Sequence, residues 1–248
     1  MQSLEPSFHQ DLNGDGLIGP PTTVIEVNGS TRLTEVGDHF FLYDTVSSGP
    51  SLKFLGADYV QGQIVPWTPI GAEQTASGYE VGWKNGAADQ YTVWNTDNNG
   101  NYLSNIGLVS GDNFALQSLE PSFHQDLNHD GLIGPPTTVI EANGSTQLTE
   151  VGNHFFLYDT VGSGPSLKFL GADYVQGQIG PWTPIGAEQT ASGYEVAWKN
   201  GAADQYTVWN ADSNGNYTSN IGLVSGAALQ SLEPSFHQDL NGDGHWLL

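Results

Sequence analysis

A long internal repeat constrains the fold of this chain more than any other feature of its sequence. Residues 2–13 return unchanged at 117–128 and again at 230–241. Residues 2–110 and 117–225 differ only at positions 14, 27, 32, 38, 47, 65, 82, 96, 98 and 103 of the first copy. The repeat has the length of a whole domain, because solenoid repeats have periods of about 20–50 residues. The sequence therefore predicts tandem domains and not a continuous solenoid.

Short runs of β-branched and aromatic residues, each bounded by turn residues, predict strands at 22–27, 31–36 and 39–43. Residues 79–84 alternate apolar and polar side chains, and 90–95 form a second such run after a turn. This pair predicts a hairpin with Tyr79, Val81 and Trp83 on one face. The same pair recurs at 194–199 and 205–210.

Helix is predicted only around residues 115–125, where Leu116, Leu119 and Phe123 have helical spacing and Pro121 can occupy a first turn. The helix should be short and broken near the proline. The predicted fold class is mainly β, with tandem β-rich domains of antiparallel strands and hairpins joined by short helical segments and calcium loops.

The composition restricts the partners of the chain. It has 27 acidic and 5 basic side chains, a formal net charge of −22 and no cysteine. Such a negative surface repels nucleic acid and anionic membranes. No run approaches the roughly 20 apolar residues of a membrane span, so no membrane insertion is predicted. Bound cations offset self-repulsion, which indicates a divalent metal, and the absence of cysteine is compatible with a secreted bacterial protein.

The pattern Asp-x-Asn-x-Asp-Gly occurs three times and predicts calcium as the cofactor. Its oxygens at positions 1, 3 and 5, its glycine at 6 and the carbonyl at 7 match the first half of an EF-hand loop. The alternative is an ordinary Asn-, Asp- and Gly-rich turn without metal. The predicted ligands are Asp11, Asn13, Asp15 and Leu17 in the first loop, Asp126, Asn128, Asp130 and Leu132 in the second, and Asp239, Asn241 and Asp243 in the third.

Each calcium loop lacks one ligand of an EF-hand. Position 12, which carries a bidentate Glu in an EF-hand, is Thr22 or Thr137 here. A further ligand must therefore come from elsewhere, either from a neighbouring repeat or from a glutamate six residues upstream of the loop. The upstream candidates are Glu5, Glu120 and Glu233.

A second pattern places side-chain oxygens at alternate positions of an Asn-rich loop with glycine at position 6. It carries one carboxylate per loop, and an Asn-Gly hairpin turn without metal is the favoured interpretation. The candidate ligands are Asn95, Asp97, Asn99 and Asn101, and in the second copy Asn210, Asp212, Asn214 and Asn216.

The sequence predicts no catalytic residues and no enzyme. It contains no Gly-x-Ser-x-Gly, no His-Glu-x-x-His and no phosphate-binding loop. Glu73 and Glu80 could form an acid/base pair, but they lie in ordinary strand-like segments where solvated carboxylates are expected. The histidines beside the loops are interpreted as helix-surface residues, because calcium prefers oxygen; they are His9, His124 and His237.

A carbohydrate-binding module is the alternative function, because exposed aromatic rings stack on sugars. Burial in the core is the competing interpretation of the same rings, since large aromatics dominate the cores of small domains. The candidate rings are Trp67, Trp94, Trp182 and Trp209.

Several motifs occur together: WTPIGAEQ at 67–74, GYEV at 78–81 followed by Trp83, DQYTVWN at 89–95, and FHQDLNGDG at 8–16. This set resembles the tryptophan-rich C-terminal domain first described in cyanobacterial proteins and abundant in rhizobial ones. The resemblance covers nearly the whole chain in two copies. The tail of the third copy departs from it, since His-Trp-Leu-Leu replaces Leu-Ile-Gly-Pro.

The resemblance implies domains that end with their Asp-rich loop. The predicted boundaries are 1–19 for the end of a preceding repeat, with a short helix and a calcium loop, 20–134 for repeat 1 and 135–248 for repeat 2. It also implies a setting in secreted calcium-dependent proteins, with no firmly attached activity.

We therefore expect a non-catalytic, calcium-binding repeat module of a secreted or cell-surface bacterial protein. Its role would be structural and adhesive, with folding and rigidity that depend on calcium. The expected partners are neighbouring repeats of the same protein, with self-association or surface glycans as further options.

Overall fold

Strands and hairpins dominate both halves of the chain, which confirms the mainly β fold class. A computed structural model describes residues 2–245, and the tail at 246–248 whose sequence departs from the other copies lies outside the described residues. The chain divides into unit 1, Met1–Pro135, and unit 2, Pro136–Leu248. None of the helices within 2–245 is long and apolar enough to cross a membrane.

Unit 1 begins with a short 3₁₀ turn at Gln2–Leu4. Its elements are α1 (Glu5–Phe8), β1 (Thr22–Glu26), β2 (Arg32–Val36), β3 (His39–Tyr43), β4 (Lys53–Phe54), β5 (Ala57–Asp58), β6 (Trp67–Thr75), β7 (Gly78–Asn85), β8 (Tyr91–Thr96), β9 (Tyr102–Asn105), α2 (Phe114–Gln117) and α3 (Glu120–Phe123).

Unit 2 repeats this order, with a 3₁₀ turn at Gln230–Leu232 between its two helices. Its elements are β10 (Thr137–Glu141), β11 (Gln147–Val151), β12 (His154–Tyr158), β13 (Lys168–Phe169), β14 (Ala172–Asp173), β15 (Trp182–Thr190), β16 (Gly193–Asn200), β17 (Tyr206–Ala211), β18 (Tyr217–Asn220), α4 (Gly226–Leu229) and α5 (Glu233–Phe236).

The strands of each unit pair antiparallel in chain order. In unit 1 they form a three-stranded sheet β1-β2-β3, a two-stranded hairpin β4-β5 and a four-stranded sheet β6-β7-β8-β9. Unit 2 has the same three sheets. Sequential antiparallel pairing needs only short turns, which agrees with the Asn-Gly and Gly-rich sequences between the strands.

Side chains that alternate along β7 and β8 divide the four-stranded sheet into two buried faces. On the front face Val81 and Trp83 lie opposite Trp94 and Thr92, and they pack with Leu33 and other side chains of the three-stranded sheet. The predicted placement of Val81 and Trp83 on one hairpin face is confirmed. Because successive strand residues point to opposite faces, the residues between them form the back face.

The back face is covered by the helix and loop that follow β9. Phe123 and Leu127 pack there against Tyr91 and Val93, with Leu116 of α2 beside them. We call residues 117–134 the closing segment of unit 1, and residues 230–245 the closing segment of unit 2. In unit 2 the corresponding cluster contains Phe236 and Leu240 against the same strands. Each unit therefore has three layers, with the four-stranded sheet in the middle.

The predicted strands agree with the observed ones to within one or two residues, and the predicted helix is two helices. Helix α2 ends at Gln117, and α3 begins at Glu120 with Pro121 in its first turn. Proline lacks a backbone N–H and fixes its own φ, so it starts a new helix here instead of continuing the first. The long strand β6 was not predicted, because Pro69 and Gly71 interrupt its pattern. In the structure they flank a β-bulge at Ile70.

Residues 2–19 are a third copy of the closing segment, and their apolar side chains belong to neither core cluster of unit 1. Phe8 is 64% exposed, whereas Phe123 is 1% and Phe236 0% exposed. The phenylalanine at this position of the repeat is therefore a core residue in two copies and a surface residue in the N-terminal copy.

This contrast gives a matched pair of substitutions. Phe123→Ala should destabilise unit 1 by about 3–5 kcal/mol, because it leaves a cavity in the back-face core. Phe8→Ala should change stability by less than about 0.5 kcal/mol, as expected for an exposed side chain. Urea unfolding followed by tryptophan fluorescence would measure both. Equal effects of the two substitutions would contradict the assignment of Phe123 to the core.

Candidate metal loops and aromatic cleft

The Asp-x-Asn-x-Asp-Gly loop of unit 1 is held by hydrogen bonds from its own backbone. Asp126 accepts hydrogen bonds from the N–H groups three and five residues further on, at 2.6 and 2.8 Å. Asn128 Oδ1 accepts from the Asp130 N–H at 2.9 Å, and Asp130 Oδ1 accepts from the Leu132 N–H at 2.8 Å. The structure thus gathers the predicted side-chain ligands into one tight loop. The loops at Asp11 and Asp239 have the same bonds.

One aspartate in each loop has a lowered pKa. For Asp130 the causes are the hydrogen bonds from the Asn128 side chain and then from the Leu132 N–H. The pKa of Asp15 is lowered chiefly by the Leu17 N–H, and that of Asp239 by the Gly244 N–H. The loops therefore hold negative charge at neutral pH.

The upstream glutamates organise the loops. Glu120 is 0% exposed, and its Oε1 accepts from the N–H groups of Leu127 and Asn128 at 3.0 and 3.3 Å. Its Oε2 accepts from the Gly134 N–H at 2.9 Å. Burial raises the pKa of Glu120, and these three bonds oppose the rise. The carboxylate thus ties both ends of the loop to the start of α3.

The same arrangement surrounds Glu5 and, in part, Glu233. Glu5 accepts from the N–H groups of Leu12, Asn13 and Gly19. Glu233 Oε1 accepts from the corresponding two N–H groups of the third loop, while its Oε2 has no partner among residues 2–245. The role of these glutamates as metal ligands stays a prediction, and their observed contacts are structural.

The Asn-rich turns are held differently. Asp97 accepts from the N–H groups of Asn99 and Asn101 and from the Asn101 side chain, and the Asn101 bonds are the main cause of its lowered pKa. Lys53 Nζ donates to the Asn99 carbonyl at 2.6 Å. Asn95 lies in β8, and its side-chain amide donates to a serine of β9. A lysine already supplies positive charge to this turn, which favours the hairpin-turn interpretation.

No three His, Asp or Glu side chains within residues 2–245 form a group that could hold a metal ion. Each Asp-rich loop offers two carboxylates, one amide oxygen and a backbone carbonyl. A hard cation there would depend on this mixed oxygen set, which is the donor type that calcium uses.

Glu73 and Glu80 lie directly opposite each other on β6 and β7. The expectation that they are solvated is wrong for Glu73, which is buried and accepts hydrogen bonds from the N–H and hydroxyl of Ser30. Gly29, at φ +70°, forms the tight turn that brings Ser30 to Glu73. Burial raises the pKa of Glu80, whose carboxylate accepts from the Ser122 hydroxyl at 3.4 Å. Glu73 therefore joins the β1–β2 turn to the four-stranded sheet.

The histidines next to the loops are exposed, as predicted. Each ends its helix in the left-handed conformation, with φ of 53°, 53° and 55° for His9, His124 and His237. The His237 Nδ1 lies 3.2 Å from a carboxylate oxygen of Glu188, the unit 2 counterpart of Glu73.

An aromatic cleft lies on the front face of each unit. Its volume is about 230 Å³ in unit 1 and about 180 Å³ in unit 2. In unit 1 it is lined by Phe54, Ile64, Trp67, Trp83, Thr92, Trp94, Tyr102, Asn105 and Leu108. The corresponding residues line most of the cleft in unit 2.

The rings around the cleft differ in how accessible they are. Trp94 is only 7% exposed, and its ring centroid lies 4.5 Å from that of Trp83, 4.9 Å from that of Tyr102 and 5.2 Å from that of Phe54. The core interpretation is therefore confirmed for Trp94, and Trp209 is buried in the same way. Trp67 and its counterpart Trp182 are half-buried, so they are the predicted sugar-stacking rings that remain accessible.

Two buried polar atoms in the cleft wall have no hydrogen-bond partner among the described residues. They are Trp83 Nε1 and Thr92 Oγ1, whose residues face each other across β7 and β8. The equivalent atoms of Trp198 and Thr207 are in the same situation. Such groups are rare, because a buried polar group without a partner costs about 1–3 kcal/mol. The alternation of residues along β8 could have placed Thr92 on the Trp83 face from sequence alone.

Each unit is thus a tryptophan-rich antiparallel β module closed by a helix and an Asp-rich loop. A family model described as the tryptophan-rich Synechocystis species C-terminal domain matches residues 31–134 and 146–246. The two matches cover most of the chain, which belongs to this family and carries its domain twice in tandem. No curated protein matches the chain.

The buried Glu120 generates a prediction with a defined pH dependence. Glu120→Gln should lower the stability of unit 1 by about 1–3 kcal/mol, since it replaces an acceptor oxygen with a donor that faces backbone N–H groups. Because the folded-state pKa of Glu120 is raised, the folded protein keeps this proton to a higher pH than the unfolded chain. The stability that Glu120 contributes to the folded protein is therefore lost as the pH rises from the ordinary pKa of glutamate through the raised pKa. The difference in free energy of unfolding between the wild type and Glu120→Gln should therefore narrow over that pH range.

Urea unfolding at several pH values from 4 to 7 would measure the gap. Glu5→Gln is the matched control, because the same change is made in the copy that covers no sheet. A gap that is constant or that widens with rising pH would contradict the raised pKa of Glu120.

Proposed function

We propose that each unit is a non-catalytic, calcium-binding repeat module with a structural role in a secreted or cell-surface bacterial protein. The observation that carries the proposal is the loop at Asp126, which recurs at Asp11 and Asp239 with the same internal hydrogen bonds. Three loops that differ only where His129 replaces a glycine, each with anionic side chains and left-handed backbone turns, are more than an acidic composition alone would produce.

In unit 1 the ion would be held by Asp126, Asn128, Asp130 and the carbonyl of Leu132. Bound calcium would neutralise the two carboxylates and crosslink the turns of the loop. Glu120 holds these residues in position, because its carboxylate accepts hydrogen bonds from the N–H groups of Leu127 and Asn128 in the loop. The acidic character of the whole chain favours cation binding further.

The position of the loop couples metal binding to folding. Leu127 lies between Asp126 and Asn128 in sequence, and its side chain is fully buried in the back-face core. The Asn128 side-chain amide also donates to the Gly111 carbonyl at 2.7 Å, which anchors the loop to the chain after β9. An ion at this loop would therefore hold the closing segment on the sheet, and a ligand bound only by the folded state stabilises it.

This coupling supports a spacer role outside the cell, where calcium is abundant. Modules that fold fully only with calcium would remain loose before export and stiffen afterwards. The glutamates considered for acid/base chemistry accept hydrogen bonds from the β1–β2 turn and from α3, which supports a non-catalytic module. Neighbouring repeats of the same protein are the proposed partners, with an adhesive role for the assembled array.

Isothermal calorimetry and thermal unfolding in calcium, magnesium and chelator would test the proposal. We expect up to three calcium sites per chain and a rise in melting temperature that magnesium does not reproduce. At a free calcium concentration about 100 times the dissociation constant, the stabilisation should be about 2.7 kcal/mol per coupled site.

Two variants separate binding from folding. Asp126→Asn should remove one site and the calcium-dependent stabilisation of unit 1. Asp11→Asn should remove one site with little change in melting temperature, because its loop covers no sheet. No heat of binding, or equal melting temperatures in calcium and chelator, would refute the proposal.

Carbohydrate binding in the aromatic cleft is the second candidate function. The half-buried Trp67 at the cleft, repeated as Trp182 in unit 2, is the specific observation that favours it. A sugar ring presents an apolar face to tryptophan and hydroxyl groups to polar atoms. The clefts are smaller than the roughly 300–1,000 Å³ of pockets for drug-sized ligands, which fits a single ring.

Titration of tryptophan fluorescence with a panel of mono- and oligosaccharides would test this candidate. A binding sugar should lose about fivefold in affinity at each cleft when Trp67→Ala and Trp182→Ala are combined, since stacking on an aromatic ring is worth about 1 kcal/mol. Val46→Ala, an exposed position that does not line the cleft, is the control. Binding that survives loss of both tryptophans would exclude the cleft.

A further inference from the structure

The three copies of the closing segment have the same internal structure and nearly the same sequence, since residues 2–16, 117–131 and 230–244 differ only where His129 replaces a glycine. In each copy a glutamate accepts hydrogen bonds from two N–H groups of the following loop. In each copy the glutamine at its start donates to the aspartate at position 5 of the loop, as Gln117 does to Asp130. The N-terminal copy at 2–19 keeps these bonds although it covers no sheet, so its shape does not depend on docking.

The three copies differ in the exposure of one apolar row. In unit 1 this row consists of Leu119, Phe123 and Leu127, and it faces the back of the four-stranded sheet. In the N-terminal copy the equivalent side chains are open to solvent, with Leu4 at 53%, Phe8 at 64% and Leu12 at 36% exposure. A preformed segment therefore presents an apolar surface that its two sister segments bury.

Polar contacts show that docking of this segment is specific. Gln125 Nε2 donates to the Ile70 carbonyl at 3.2 Å, and Gln238 Nε2 donates to the Ile185 carbonyl at 3.2 Å. Both carbonyls lie at a β-bulge, where a strand residue is left out of the ladder. Gln10 is the exposed equivalent in the N-terminal copy.

A second polar contact recurs beside the loop. Asn128 Nδ2 donates to the Gly111 carbonyl at 2.7 Å, and Asn241 Nδ2 donates to the Gly226 carbonyl at 3.0 Å. Asn13 carries the same amide and is exposed. Residues 2–19 thus hold a complete set of docking groups, three apolar and two polar, that the sister copies use on a sheet.

We propose that residues 2–19 are a docking segment for the back face of another tryptophan-rich unit, one whose own closing segment does not cover that face. The partner surface is defined by the two internal examples. It consists of a tyrosine and a valine on the strand equivalent to β8, and a free carbonyl at the bulge of the strand equivalent to β6. The segment therefore joins tryptophan-rich units head to tail. This inference rests on packing and is independent of the proposed calcium binding.

Full-length chains can test the proposal in trans at one fixed calcium concentration. The donor is the chain with Ser3→Cys, labelled at its single thiol, because the natural sequence has no cysteine. The acceptors all carry Phe8→Asp, so that their own N-terminal copy cannot compete. They form a graded series in which the closing segment of unit 2 is weakened: no further change, Leu240→Ala, Phe236→Ala, and Phe236→Asp with Leu240→Asp.

Sedimentation velocity with fluorescence detection would follow the donor in rising excess of each acceptor. Donor affinity should increase along the series, with at least a tenfold gain from the closed to the most open acceptor that is folded. The closed acceptor binds weakly because its own segment competes at a high effective concentration. A donor that also carries Phe8→Asp should lose this binding.

Near-UV circular dichroism of the tryptophan cluster identifies the folded acceptors. The acceptor with Leu240→Ala retains Phe236 and serves as the mildest open form. Equal binding along the folded members of the series, no binding to any of them, or equal binding by the Phe8→Asp donor would each overturn the proposal.

Discussion

Coverage of both faces of the four-stranded sheet is the constraint on which the rest of each unit depends. Strand β8 carries large apolar side chains on both sides, with Trp94 on the front and Tyr91 and Val93 on the back, so neither face can be left in water without a large cost. The three-stranded sheet and the tryptophan cluster cover the front, and the closing segment covers the back. An antiparallel sheet commonly has one face in water, whereas the central strands of this sheet are covered on both faces. The order of elements along the chain follows from this need, with cover supplied before and after the sheet.

Buried glutamates hold the irregular segments of each unit in place. Glu73 reaches from the middle sheet to the β1–β2 turn, and Glu120 reaches from α3 to its loop. In both cases the partners are backbone N–H groups of irregular segments, which have no strand or helix neighbour of their own. A carboxylate satisfies several such donors at once, and a chain with five basic residues has few cations to pair with its acids. Some of the acidity of the chain is therefore architectural.

Much of this architecture could be predicted from local sequence. The strands at 39–43 and 91–96 and the break before Pro121 follow from β-propensity, alternation and proline geometry. Strand β6 was missed because Pro69 and Gly71 oppose a strand locally, and the tertiary use of the bulge by Gln125 outweighs that preference. The loop ligands follow from spacing, whereas the burial of Glu120 depends on N–H groups up to fourteen residues away. A prediction of the cleft would require knowing which rings face each other. No local pattern distinguishes the buried Trp94 from the half-buried Trp67.

The position of the closing segment at the end of each unit determines the order in which a growing chain can complete its fold. The back face of a unit stays uncovered until its last residues leave the ribosome, and by then the first strands have long been available. Domains generally fold as they emerge, and neighbours of nearly identical sequence are prone to misassembly. A nascent second unit therefore meets two segments of the same sequence, one that precedes it and one that is still to be made. Which segment covers the second unit therefore depends on how each segment is connected to that unit and on when each is synthesised. Evolution can change the outcome through the rate of synthesis as well as through the residues at the interface.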